Sequence, residues 1–337
     1  MLETPLERPI WVMKLASHVD ALGFCADDLL VRARLPVADK LDTHVPVPFT
    51  QIAAFFEICA AEAGERLLGF KFGTTIDPRD AGLIAFLGVY AQTMRDGLEN
   101  IATYSRVFGD AAIIDVSRLG CDGRLGFDFS VPVSVETQQY TEWLASALLH
   151  GAQSVMRRPI RCRAARFRHL RTLGIEDMRR HLGCTPEFCA DENALYFSRG
   201  DLDTLIPEAD HKLVQFLREV AESTLERHHS NEPPLLISLE RALARHLPKG
   251  EVKMEQVAQE LGLSPRTLSR RLKEEDLSFR EVLKGLRQAL ATRYLSQTTT
   301  SQAQIAFLLG FSDQAAFARA YRAWTGRTPG AMRKRFS

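Results

Sequence analysis

The 337 residues contain no G-x-S-x-G, no G-x-G-x-x-G and no G-x-x-x-x-G-K. These absences remove the local motifs of nucleophile-elbow hydrolases, dinucleotide enzymes and P-loop nucleotidases. Cysteine is sparse: Cys25, Cys59, Cys121, Cys162, Cys184 and Cys189 form no C-x-x-C pair, so reduced thiols are expected rather than a disulfide framework. Cys184 and Cys189 are near each other in sequence, but no histidine or carboxylate cluster completes a ligand set, and neither a metal nor a cofactor is expected. The longest apolar stretch, from Ala81 to Ala91, falls far short of the roughly 20 residues of a membrane span. Glu3 and Glu7 precede a short apolar stretch where a signal peptide would place basic residues and a hydrophobic core. A cytoplasmic protein without a membrane partner is the expectation.

Net charge is also nearly absent, at +1, but the balance is not uniform. Residues 238–337 hold 18 lysines and arginines against 9 aspartates and glutamates, while the remainder holds 25 against 33. A basic segment at +9 beside an acidic one at −8 places polyanion binding at one end of the chain. With 45% hydrophobic residues, the length suffices for two cored domains.

The basic segment contains one pattern twice. Val257-Ala-Gln-Glu-Leu-Gly-Leu-Ser264 recurs 48 positions on as Ile305-Ala-Phe-Leu-Leu-Gly-Phe-Ser312. Each copy reads as the end of an amphipathic helix, a glycine suited to the left-handed conformation, an apolar residue and a capping side chain, which is a helix-turn-helix. In the first copy Met254, Val257, Ala258 and Leu261 share a helical face, Ser264 caps the next helix, Pro265 takes its first position, and Leu268 and Leu272 form its buried stripe. Arg266, Thr267, Ser269, Arg270, Arg271 and Lys273 remain for phosphates and base edges.

In the second copy the following helix starts at Ser312 or Asp313, with Phe317 and Tyr321 as its buried pair. These match Leu268 and Leu272 at an offset of 49 rather than 48, so Arg270 pairs with Arg319 and Lys273 with Arg322. The exposed face carries Gln314, Ala315, Ala318, Arg319 and Arg322, in which glutamine and arginine suit base edges and alanine suits a thymine methyl. Between the copies, Ser278 and Glu281 form a capping box, and Phe279, Val282, Leu283, Leu286, Leu290, Tyr294 and Leu295 continue one helix to about Ser296. Such a helix spans roughly 27 to 30 Å, long enough to hold two recognition helices in adjacent major grooves about 34 Å apart.

From about residue 235 to 337 the chain resembles the DNA-binding domain of the AraC/XylS family of bacterial transcription regulators. The residues that carry the likeness are Ile305-Ala306, Leu309-Gly310-Phe311-Ser312-Asp313, Phe317, Arg319, Tyr321, Gly326, Thr328-Pro329 and Arg333. Tyr321 stands where the family usually has phenylalanine. The resemblance implies base contacts at Arg266, Ser269 and Arg270 in the first recognition helix, and at Gln314, Ala315, Ala318 and Arg319 in the second. A single helical arginine is by default a solvated charge; position within the motif is what singles out Arg270 and Arg319. The implied partners are promoter or operator double-stranded DNA and RNA polymerase.

The acidic remainder mixes periodicities. Helices are expected at about 12–22, 50–63, 81–91, 94–107, 137–157 and 210–227, and strands at about 111–118, 124–131, 160–169 and 194–198. The stretch His228-His-Ser-Asn-Glu-Pro-Pro234 reads as a linker. The expected architecture is therefore two domains: an α+β effector-sensing or dimerisation domain at 1–205, a connecting helix and linker at 206–234, and an all-α domain at 235–337 with two helix-turn-helix units joined by a long helix.

Asp80-Ala81-Gly82-Leu83, the run Leu98 to Tyr104, and Phe188 to Phe197 followed by Leu202 resemble the arabinose-binding-type N-terminal domain of the ornithine-utilisation-regulator subgroup. That likeness implies a small-molecule effector and a homodimer but names no ligand. An effector-responsive activator is the leading expectation. An effector-independent regulator, whose N-terminal domain only dimerises or docks a protein, shares the same C-terminal sequence. DNA-repair enzymes that carry a similar module depend on a zinc-held cysteine cluster, which is missing here, so the chain is not expected to be an enzyme.

Overall fold

The computed structural model describes residues 5–225, 235–250, 252–275, 277–297 and 300–334. The segment expected as a linker, His228 to Pro234, lies outside the described residues. The chain divides into two compact units. Unit 1 comprises Met1–Val131, Glu136–His169 and Leu173–Asn231; unit 2 comprises Pro132–Val135, Leu170–Thr172 and Glu232–Ser337.

Unit 1 is α+β. Strands β1 (Leu6–Glu7) and β2 (Val47–Pro48) form a small antiparallel pair, and β3 (Ala112–Asp115), β4 (Arg124–Phe129), β5 (Ala164–Phe167), β6 (Glu187–Phe188) and β7 (Ala194–Tyr196) form a sheet in the order β3-β4-β7-β5-β6. Every neighbouring pair in that sheet is antiparallel except β5 with β6. Alternation sets its two faces. Leu125, Phe127 and Phe129 of β4 are buried, and Leu125 and Ala165 both pair with Leu195 across the ladder. The opposite face of the sheet is charged, with Arg124 bonded to Asp115 and to Glu192 (2.6 Å) and Arg168 paired with Asp128 at 3.4 Å. The strands are shorter than the sequence suggests. Apolar character continues past each ladder end into loops that bury side chains without strand pairing, as Val131 and Ile160 do.

Eleven helices complete the described part of this unit: α1 (Ile10–Ala21), α2 (Ala26–Arg32), α3 (Phe49–Glu62), α4 (Leu68–Gly73), α5 (Leu83–Val89), α6 (Met94–Tyr104), α7 (Leu119–Asp122), α8 (Gln138–Met156), α9 (Ile175–Leu182), α10 (Arg199–Leu202) and α11 (His211–Leu225). Helix α5 begins two residues later than the apolar run implies because Gly82, at φ +60°, ends a preceding 3-10 turn at Pro78–Ala81. Helices α4 and α8 approach so closely that a Cβ at Gly69 would lie 2.1 Å from the Gln139 carbonyl oxygen, and one at Gly73 would lie 2.6 Å from that of Trp143. This contact sets α8 against the aromatic side chains of α1 and α3: the Tyr140 ring lies 4.9 Å from Phe56 and 4.7 Å from Trp143, which is itself 5.1 Å from Trp11. Helix α11 packs on α5 and α6 through Val214 and Ala221.

Unit 2 is all helical among its described residues: α12 (Leu235–His246), α13 (Met254–Glu260), α14 (Pro265–Glu274), α15 (Phe279–Gln297), α16 (Gln302–Leu308), α17 (Gln314–Thr325) and α18 (Pro329–Arg333). The buried face of α15, with Val282, Leu286, Leu290, Ala291 and Leu295, is the spine of its core. At 19 residues α15 is about 28 Å long, within the span expected from the sequence. Its first turn is closed by the Ser278 and Glu281 capping box: the Ser278 amide and hydroxyl donate to Glu281 Oε2 at 2.8 and 2.6 Å, and the Glu281 amide donates to Ser278 Oγ at 3.3 Å. These bonds hold the Glu281 carboxyl below its usual pKa.

Candidate nucleic-acid interface

The two helix-turn-helix units repeat bond for bond through the turn. In the first, Gly262 has φ +66°, its N–H donates to the Gln259 carbonyl at 3.0 Å, and the Leu263 N–H donates to that of Ala258 at 2.9 Å. In the second, Gly310 has φ +70°, its N–H donates to the Phe307 carbonyl at 3.0 Å, and the Phe311 N–H donates to that of Ala306 at 2.9 Å. Left-handed glycine is what lets the chain close this pair of bonds and leave the helix.

The units then differ by one residue. Ser264, two positions after its glycine, accepts from the Thr267 N–H at 3.1 Å; Asp313, three positions after its glycine, accepts from the Ala316 N–H at 2.7 Å. Asp313, not Ser312, is therefore the cap, and the extra residue accounts for the step in offset from 48 to 49. The bond from the Ala316 amide, with that from the Ser312 hydroxyl, lowers the Asp313 carboxyl's pKa. A carboxylate at that helix start also opposes the positive end of the helix dipole.

Burial of Leu268 and Leu272 turns α14 so that Arg266, Arg270, Arg271 and Lys273 are exposed and Ser269 is half-buried. Burial of Phe317 and Tyr321 turns α17 so that Gln314, Ala315, Arg319 and Arg322 are exposed and Ala318 is half-buried. All of these residues thus lie on the two helices that follow the turns, off their buried stripes. Glu274 lies 3.9 Å from Arg270 with both side chains largely exposed. Such a pair contributes about 0 to 1 kcal/mol and leaves the guanidinium available to a stronger anion.

Two side chains, only one of them marked by the motif, hold the second unit in place. Arg287 of α15 donates from Nε to the Leu309 carbonyl at 3.0 Å and from Nη2 to that of Gly310 at 3.4 Å, with its guanidinium carbon 4.9 Å from the centre of the Phe311 ring. Desolvation pushes its pKa down, and the two carbonyls take two of its five N–H groups. The Tyr321 hydroxyl meets Thr292 Oγ1 at 3.1 Å, tying α17 to α15. Its hydroxyl was legible as a departure from phenylalanine; Arg287 has no sequence signal, because only the fold brings a turn 22 residues away onto its guanidinium.

Unit 1 holds a separate feature, a cavity of about 180 Å³ whose wall is almost wholly hydrocarbon, including Ile84, Leu98, Ile101, Leu144, Leu148 and Val155. The six cysteines are free thiols, and burial pushes Cys189 up to about 11. Among the described residues no three or more histidine, cysteine, aspartate or glutamate side chains are grouped to hold a metal, and no helix is long and apolar enough to cross a membrane.

Comparison with known proteins agrees with this geometry. Residues 23–205 match the family described as the arabinose-binding domain of AraC transcription regulator, N-term, and residues 257–335 match a helix-turn-helix domain family. The chain is 30% identical over 320 residues to the HTH-type transcriptional regulator VirS of Mycobacterium tuberculosis, covering 90% of each chain. It is 26% identical over 274 residues to the ornithine utilization regulator of Pseudomonas aeruginosa, covering 81% of this chain and 80% of that one. These relatives are transcription regulators, not enzymes.

Proposed function

We propose, for a chain that belongs to the AraC family of DNA-binding transcription regulators, that one protomer reads two successive major grooves and that unit 1 makes this reading depend on a small molecule. Arg266, Ser269 and Arg270 of α14 and Gln314, Ala315, Ala318 and Arg319 of α17 contact base edges, while Lys273 and Arg322 contact phosphates. The observation that carries this is the bond-for-bond repeat of the turn, each copy presenting a helix with exposed arginines. Arginine suits guanine O6 and N7, glutamine suits adenine, and Ala315 and Ala318 suit thymine methyls.

On this reading the protein works in the bacterial cytoplasm as an effector-responsive activator. It contacts RNA polymerase, and unit 1 provides both the effector site and a homodimer contact. The cavity in unit 1 favours an effector over a purely docking role for that unit.

The test compares the whole protein with a fragment spanning residues 235–337. The fragment is expected to bind promoter DNA alone, with an affinity that falls steeply as salt rises because each neutralised phosphate releases a counterion. Effector is expected to change occupancy by the whole protein and not by the fragment, and linkage requires DNA to change effector affinity by the same factor. A folded fragment without salt-dependent DNA binding would refute the interface. Promoter output by the whole protein that is the same under every growth condition would instead favour the effector-independent regulator.

A further inference from the structure

Two of the few polar side chains that line the cavity in unit 1 each carry a buried atom without a hydrogen-bond partner. Glu7 and Trp143 line it and are only 6% and 3% exposed, yet Glu7 Oε2 and Trp143 Nε1 have no hydrogen-bond partner. They belong to one cluster: Glu7 Oε1 accepts from the Tyr140 hydroxyl at 2.7 Å, and the Tyr140 and Trp143 rings lie 4.7 Å apart. An indole N–H can only donate, whereas a carboxyl oxygen accepts when ionised and can carry a proton when neutral. Buried groups of this kind are normally paired.

No lysine, arginine or histidine lines the cavity among the described residues. A carboxylate ligand would therefore meet no cation and would face Glu7. An amino-acid zwitterion would place its ammonium well and its carboxylate badly. A sugar would set several hydroxyls against a hydrocarbon wall, where each loses its water without a replacement. A single hydroxyl on a hydrocarbon body suits the chemistry of both groups, because its oxygen can accept from an indole N–H and its O–H can donate to a carboxylate. Burial pushes Glu7 up to about 7, with the Tyr140 bond lowering it in part. A hydroxyl also accommodates the protonated form, since its second lone pair can accept from the acid. The volume of about 180 Å³ suits a small body, given that a dry cavity of about 150 Å³ holds benzene.

We infer that unit 1 binds a small uncharged alcohol or phenol, with its hydroxyl at Glu7 and Trp143 and its hydrocarbon part along the aliphatic wall. This deepens, and rests on, the reading of unit 1 as an effector-binding unit.

The test is calorimetric titration of the full chain with benzyl alcohol, with L-arabinose, L-ornithine and octanoate as comparators. Tryptophan emission gives a second readout, since two of the three tryptophans, Trp11 and Trp143, line the cavity. Benzyl alcohol is expected to bind saturably and to outcompete the comparators. Glu7→Leu, which can neither accept nor donate, is expected to weaken it by up to roughly tenfold, the worth of one hydrogen bond. Ala147→Leu is expected to abolish binding by filling the cavity, with circular dichroism to confirm the fold; if that variant unfolds, Ala152→Val is the milder filling and is expected to weaken binding. No saturable binding of benzyl alcohol, or equal binding by a folded filled variant, would overturn the inference. Tighter binding of a comparator at the same cavity would overturn the ligand class and leave effector sensing intact. Benzyl alcohol bound in the cavity with promoter occupancy unchanged would support the site and count against sensing through it.

Discussion

The two helix-turn-helix units share a turn but are held in different ways. A Cβ at Gly262 would meet nothing within 4 Å, so only the positive φ demands glycine there. A Cβ at Gly310 would lie 2.6 Å from the Leu247 carbonyl oxygen, 2.7 Å from that of Gly250 and 3.4 Å from Arg287 Nη2, which itself bonds to the turn. The stripe of α14 is aliphatic, Leu268 and Leu272, whereas α17 brings Phe317, Tyr321 and Trp324 together with Phe311. The surfaces diverge as well: α14 is rich in cations, and α17 offers two alanines, a glutamine and two arginines. The two copies share one backbone solution at the turn and differ in the side chains around it. On the proposed reading, α14 supplies more of the charge and hydrogen bonding, and α17 is the more firmly seated head.

The most damaging way to break this comparison is to remove what both copies share. Leu286→Pro, at a position 1% exposed on α15, deletes a helical N–H and clashes with the preceding turn, costing about 3 kcal/mol or more before lost packing. Chemical footprinting is expected to show both grooves lost together; a surviving two-groove footprint would show that α15 is not the spacer.

Next come the glycines. Gly262→Ala is expected to cost about 1 to 2 kcal/mol, the left-handed penalty alone. Gly310→Ala is expected to cost that plus roughly 1 to 3 kcal/mol for overpacking against carbonyls, measured by urea unfolding of the 235–337 fragment. Equal costs would mean that the two turns are held alike.

Tyr321→Phe sharpens the comparison at smaller scale. It removes the bond to Thr292 and is expected to cost about 0.5 to 1.5 kcal/mol in the same unfolding experiment. An unchanged midpoint would reduce the hydroxyl to an incidental contact. The smallest effect is expected from Lys273→Ala, which should weaken all DNA sequences alike and lower the salt slope by about 1. A change in sequence preference would move Lys273 from phosphate to base.

Unit 2 was far more legible in the sequence than unit 1. Its signals are local: Gly262 and Gly310 end helices, Ser264 and the Ser278–Glu281 pair start them, and the stripes of α14, α15 and α17 follow one period. Even the one-residue step to Asp313 was visible as a change of offset. In unit 1 the decisive contacts join distant segments. Gly69 and Gly73 sit inside a helix only because the α8 backbone lies against them, and nothing nearby in sequence announces that. The short α2, α4 and α9 were not marked by periodicity, having too few turns to establish it. Glu7 stood out in the sequence only as an acidic residue ahead of the first apolar stretch; its buried partner, Tyr140, is 133 residues away. The cavity draws its wall from α1, α5, α6, α8 and the sheet, so no single stretch of sequence could reveal it.

The claim that one protomer reads two grooves through α14 and α17 is tested most directly by selecting binding sites from random duplex DNA with the wild-type chain, Arg270→Ala and Arg319→Ala. Two specified blocks about one helical turn apart are predicted for the wild type. Each variant should flatten one block and spare the other, at about 1 to 3 kcal/mol per lost base contact. If both variants returned the wild-type motif with undiminished information, or if both flattened the same block, the assignment of one groove to each helix would be contradicted.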